Sequence, residues 1–233
     1  MLRKLIAGLG AILVTMSSVV VAEVEVKLAP DLDYVDVMHE GNSFRIQRNQ
    51  DQENLMPEGW TKTSRKCPPF CSQPVQVAPG VTTVGELEVF DFMEKKLNSG
   101  SGIIIDARVF SWYEKGTIPG SINIPFTTFD HGPTDLEIEE AFTALGVKPR
   151  GEIGAMDSML SKIGMPPADK TDHWDFTTAP DLLLWCNGPW CGQSPRAIKG
   201  LLALGYPAHK LYYYRGGMQM WQVLGLPTVI PGS

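Results

Sequence analysis

The apolar positions of this chain change their period near Val81, and the change divides it in two. Upstream, Tyr34–His39 and Ser43–Gln47 alternate apolar and polar residues as half-buried strands do, and Glu40-Gly41-Asn42 between them suits a hairpin turn. Gln47 to Ser64 is polar, and Cys67-Pro68-Pro69-Phe70-Cys71 follows. Residues 23–82 therefore read as an extension with little core of its own, resting on what comes after. Downstream, helical and strand patterns alternate. Leu87, Phe90, Met93 and Leu97 recur at three- and four-residue spacing, which predicts a helix over Val84–Leu97, capped by Thr83 and ended at Asn98-Ser99-Gly100. Ile103–Ile105, Leu182–Trp185 and Leu211–Tyr214 are short apolar runs of the kind buried on both faces of a parallel sheet. Ser121–Pro125 is a further strand candidate; Ile138–Leu145, Pro195–Leu204 and Met218–Leu224 are helix candidates. Pro166-Pro167 makes Gly151–Asp175 irregular, and residues 126–180 form a connection long enough to be expected as a lid. The alternation predicts an α/β domain over residues 83–230, a central parallel sheet with helices on both faces, preceded by a small β-rich extension.

Residues 1–22 stand outside that scheme. Arg3 and Lys4 precede an apolar run from Leu5 to Val21, and Val20-Val21-Ala22 offers small residues before the charged Glu23-Val24-Glu25. This is the pattern of a cleaved secretory signal peptide; the competing reading is an uncleaved membrane anchor. A cleaved leader leaves no membrane span in the mature chain and places it in an oxidising compartment, periplasmic or secreted.

Composition narrows the function. The 233 residues are 43% hydrophobic and 20% charged, which is globular, and the net charge of -6 argues against nucleic acid as a partner. His39, His131, His173 and His209 lack metal-ligand spacing, and the four cysteines show no Cys-x-x-Cys pair, so neither a metal nor a cofactor is expected. Cys67 and Cys71 read as a structural disulfide. Cys186 is the chemically interesting residue, directly after the Leu182–Trp185 strand and before Asn187-Gly188-Pro189-Trp190-Cys191-Gly192-Gln193. Ser194 is a good helix cap and Pro195 a good first helical residue, so the thiol is expected between a strand's carboxyl end and a helix's amino end. There the helix dipole and amides freed by Gly188 and Gly192 would gather around Cys186, stabilise its thiolate and lower its pKa. Cys191 is close enough to resolve an intermediate on Cys186, which keeps dithiol–disulfide chemistry as an alternative.

Several motifs in order make the region from Thr83 to Val229 resemble the rhodanese-like sulfurtransferases. Cys186 follows an apolar strand and precedes a tight loop and a helix, then Gly205-Tyr206-Pro207, Leu211–Tyr214, and Gly216-Gly217 with Trp221. Asp106-Ala107-Arg108 looks like that family's Asp-x-Arg, and Gly116-Thr117-Ile118-Pro119-Gly120 like its Gly-His-Ile-Pro-Gly, with Thr117 in place of His. The resemblance implies sulfane-sulfur transfer from a small-molecule donor such as thiosulfate to a thiol or cyanide, through a persulfide on Cys186. Asn187, Gly188, Pro189, Trp190, Cys191 and Gly192 would then hold the substrate, Arg215 would attract an anionic donor, and Asp106 and Arg108 would brace the site. The loop differs from many members in being longer and uncharged, which opens it to a bulkier donor. The remaining alternative is a catalytically quiet module that binds a partner through Trp190 and the extension.

Overall fold

The computed structural model describes residues 24–151, 159 and 173–232. The leader expected over residues 1–22, and nearly all of the segment expected as a lid within 151–172, lie outside the described residues. Five short strands form one parallel sheet in the order β3-β9-β8-β4-β5. They are β3 (Thr82–Val84), β4 (Gly102–Asp106), β5 (Ser121–Asn123), β8 (Asp181–Trp185) and β9 (Leu211–Tyr214). Side chains of a strand point alternately to opposite faces, and the central strands show why theirs are apolar throughout. Leu182 and Leu184 enter one core with Phe129, Phe142, Trp174, Ile198 and Leu201. Leu183 and Trp185 enter the other with Phe90, Met93, Met218 and Trp221. Register is continuous across the centre: Ile104 pairs with Leu183, and Leu183 with Tyr212.

The described helices are α1 (Glu86–Phe92), α2 (Phe110–Tyr113), α3 (Leu136–Ala144), α4 (Gln193–Ala203) and α5 (Gly217–Val223). The first departs from the pattern read in sequence. Thr83 does not cap a helix; it lies in β3, paired with Tyr213 at the sheet edge. Gly85 is the N-cap instead, and its N–H donates to the Glu88 carboxylate at 2.9 Å. The helix gives way at Met93–Leu97 to a single wider turn, and Leu87 stays 56% exposed. Three- and four-residue spacing was met by two overlapping turns rather than one buried stripe. The hairpin β1 (Tyr34–His39) and β2 (Asn42–Gln47) turns through Glu40 and Gly41, both at positive φ. It buries Val35, Val37 and Ile46 against the second core. Between α3 and β8, strands β6 (Lys148–Pro149) and β7 (Trp174–Asp175) pair antiparallel and bring the two flanks of the long connection together. Among the described residues no helix is long and apolar enough to cross a membrane.

Candidate active site

The chain leaves β8 at Cys186, and its direction is fixed by α5. Met218 N–H donates to the Cys186 carbonyl at 2.9 Å, and Gln219 N–H to the Asn187 carbonyl at 3.0 Å. Residue 217 must be glycine for this approach. It sits at φ +52, and a Cβ there would stand 2.1 Å from the Cys186 oxygen. Gly188, at φ +154, then lets the loop fold so that Cys191 N–H donates to the Gly188 carbonyl at 2.9 Å.

Helix α4 begins two residues earlier than its cap signal suggested. Gly192 is the N-cap, and Ser194 lies inside the first turn. Its hydroxyl is thereby free to donate to Cys186 Sγ at 3.0 Å. The expected collar of loop amides around Cys186 is not formed. Among the described residues Ser194 alone supplies a backbone N–H to that sulfur, and Cys186 Sγ–H instead donates to the Cys191 carbonyl at 3.4 Å. Cys186 is 2% exposed, and burial pushes its thiol well above the ordinary range, with the hydrogen bond to Cys191 second. The expected lowering of its pKa is therefore reversed.

The anion-stabilising environment falls on Cys191. The adjoining Cys186 side chain lowers its pKa most, backbone groups of Gln193 and Asn187 and the Arg108 charge lower it further, and burial opposes them. The result holds Cys191 at about 7. Both cysteines are free thiols, joined through the bond from the Cys186 thiol to the Cys191 carbonyl. Cys191 lines a cavity of about 600 Å³ that Cys186 does not reach. Asn187, Trp190 and Gly192 line it too, whereas Pro189 serves as backbone, accepting from Gln73 N–H at 2.8 Å.

The remaining expected residues are structural. Arg108 grips Asp106 with two hydrogen bonds of 2.8 and 2.6 Å and donates to the Gly116 carbonyl at 2.7 Å, with its guanidinium 4.6 Å from the centre of the Trp185 ring. Thr117 completes the set by donating to Asp106 at 2.9 Å, which accounts for a hydroxyl where relatives have an imidazole. This pair is fully buried beneath the end of β8 and braces it. Arg215 donates to the Gln73 carbonyl at 2.9 Å and so ties the extension to the site. A bidentate phosphate clamp is also lacking at the loop's end, since Arg196 is paired with Asp130. Among the described residues no group of three or more His, Cys, Asp or Glu side chains is placed to hold a metal ion.

Residues that the pattern of the sequence did not single out form the opposite wall of the cavity: Lys62, Arg65, Lys66, Phe70 and Trp112. The Arg65 guanidinium lies 4.4 Å over Trp190, and Phe70 meets Trp190 edge-on at 5.2 Å. Cys67 and Cys71, joined by a disulfide, bound this segment. The signal for it was a cluster of cations beside Cys67-Pro68-Pro69-Phe70-Cys71 in an otherwise acidic chain.

Among solved structures, the chain is similar to a protein of unknown function and possible tyrosine phosphatase from Rhodopseudomonas palustris, at 15% identity over 66% of this chain and 88% of that one, with a TM-score of 0.40. It is also similar to a human single-domain sulfurtransferase, at 21% identity over 60% and 95% of the two chains, with a TM-score of 0.33. A Saccharomyces cerevisiae single-domain sulfurtransferase matches at 16% identity over 62% and 91%, with a TM-score of 0.34. No curated protein matches. The rhodanese-like domain matches residues 90–224, more than half of the chain, and the chain belongs to that family.

Proposed function

We propose that this protein moves a sulfane sulfur from a small-molecule donor to a thiophilic acceptor, a thiol or cyanide, through a cysteine persulfide in the loop after β8. Family membership supports the reaction class. The single observation that carries the reading is the division between the two sulfurs. Cys191 borders the cavity and is held at about 7, whereas Cys186 does not line it; both are buried, at 5% and 2% exposed. The donor therefore meets Cys191 first. The Cys191 thiolate attacks the outer sulfur of the donor, the donor's S–S bond breaks, and the remainder leaves with the electron pair. An acceptor thiolate then takes the outer sulfur and restores Cys191. Cys186, where the resemblance puts the persulfide, keeps its proton, which it donates to the Cys191 carbonyl.

The contact between the thiols favours a second reading, dithiol–disulfide chemistry. Here Cys186 attacks the inner sulfur of the Cys191 persulfide, a Cys186–Cys191 disulfide forms, and hydrosulfide leaves with the Cys186 proton. An external dithiol must then reduce the disulfide. Thiocyanate formation from cyanide, with intact mass after donor treatment, separates the readings. Turnover and one added sulfur atom kept in Cys186→Ser but lost in Cys191→Ser supports the proposal. Loss in both favours the dithiol route, and loss in Cys186→Ser alone returns the persulfide to Cys186. No turnover with any donor leaves a quiet binding module. The apolar leader pattern and the Cys67–Cys71 disulfide support a periplasmic or secreted location, which N-terminal sequencing of the protein from a periplasmic extract tests.

A further inference from the structure

Two elements leave aromatic rings in water. Helix α2 reads Phe-Ser-Trp-Tyr, and none of its four residues is buried; Phe110 is 61% and Trp112 42% exposed. Phe70, inside the ring closed by the Cys67–Cys71 disulfide, is 37% exposed. The two elements share one face, because Trp60 of the extension meets Trp112 with ring centres 6.3 Å apart, and Trp112 and Phe70 line the same cavity. An exposed ring forfeits the stabilisation that burial gives it, and three of them on neighbouring elements mark a surface that something covers.

The charge of that face says what covers it. Lys62, Arg65 and Lys66 run up to the disulfide ring, and Lys115 follows α2 with its ammonium 5.7 Å from the centre of the Trp112 ring. Among the described residues none of these four cations is in a salt bridge. Residues 58–71 and 110–115 set only Glu58 and Glu114 against them, in a chain whose net charge is -6. The segment is also held in place, since the Trp60 carbonyl accepts from Gln219 Nε2 at 2.8 Å and the Gly59 carbonyl from Arg65 at 3.3 Å. A positive face on a negative molecule fits an anionic partner. Composition decides between an acidic protein and an anionic bilayer. Three of the four cations are lysines, which contacts between proteins are depleted in. Exposed Trp and Phe interleaved with lysine is the make-up of segments that lie in the headgroup layer.

We infer that this face docks the protein on an anionic lipid surface. Phe70, Phe110 and Trp112 enter the headgroup layer, and Lys62, Lys66 and Lys115 meet the lipid phosphates. The acidic remainder of the molecule is repelled, so docking has one orientation, and the cavity that Cys191 borders is brought to the bilayer surface. The inference stands apart from the sulfurtransferase reading, and its test involves no sulfur transfer.

The test is co-sedimentation of the purified protein with phosphatidylcholine vesicles, with and without phosphatidylglycerol. Binding is expected only where phosphatidylglycerol is present, and is expected to be lost in high salt. At about fivefold for each lysine, K62Q/K66Q/K115Q is expected to weaken it by about a hundredfold. Trp174, Trp185 and Trp221 are fully buried, so brominated lipid is expected to quench fluorescence through Trp60, Trp112 and Trp190. That quenching is expected to fall in F70S/W112S, and calorimetry of both variants confirms that they fold. Equal capture by neutral vesicles assigns attachment to the apolar run Leu5–Val21 and overturns the inference. Binding that survives in the lysine variant, or that leaves the tryptophans unquenched, overturns it too. Retention on immobilised polyglutamate without any vesicle binding makes the face a site for an acidic protein and overturns the lipid assignment.

Discussion

At the scale of single residues, the site turns on two thiols whose surroundings push them in opposite directions. The Cys186 side chain and backbone groups of Gln193 and Asn187 lower Cys191; Cys186 is enclosed and raised by burial. A thiol lowered to about 7 reacts in proportion to its thiolate. Iodoacetamide labelling of Cys191 is therefore expected to climb up to about pH 7 and level off above it, instead of rising toward the range of an ordinary thiol. Cys186→Ala removes the largest cause of the lowering, so the midpoint of that profile is expected to move upward, as peptide mapping of the labelled site would show. The Asp106–Arg108 pair makes a separate prediction. Arg108→Ala strands a buried carboxylate and is expected to cost roughly 3–5 kcal/mol in urea unfolding. Sequence marked the importance of Cys186, Asp106 and Arg108 through their order along the chain. It could not mark which sulfur would be acidic, because that depends on the direction in which one carbonyl and two amides point.

The elements show the same boundary between what pattern can and cannot carry. The central strands were legible because a run such as Leu182–Trp185, apolar at every position, has few other places to go than between two layers. One short edge strand was legible, Ser121–Asn123, and the other was not: Thr82–Val84 has one neighbour and three residues, and in sequence its threonines look like caps. The start of α4 was misplaced for a related reason. A serine before a proline is a good cap, but Gly192 already fills the position and Ser194 is drawn to the Cys186 sulfur. Helix α5 sets the loop through Gly217, whose missing side chain admits the Cys186 carbonyl. Gly217→Ala is expected to lose at least about 1–2 kcal/mol from its left-handed backbone alone. It is also expected to displace the Cys186 carbonyl, reducing sulfur transfer more than tenfold; melting temperature and kcat/KM measured on the same preparation would separate the two effects.

For the whole molecule, the extension does more than shield an edge of the domain. The hairpin buries Val35, Val37 and Ile46 in the second core, while residues 58–73 reach across to the active-site loop. Removing the disulfide as Cys67→Ser/Cys71→Ser shortens no strand and touches neither core. The expected result is a higher KM for the donor with melting of the α/β domain shifted by only a few degrees, read by steady-state kinetics and calorimetry. This long-range arrangement was the least legible part of the site, since nothing in a polar run of sequence says which distant loop it will meet.

Residues 58–73 precede the sheet in the chain, but Pro189, Arg215 and Gln219, which hold them, come far later in it. The Cys67–Cys71 ring closes over a separation of four residues and needs no other part of the molecule. The segment that walls the cavity is therefore held in shape by its own ring, independently of the loop it faces.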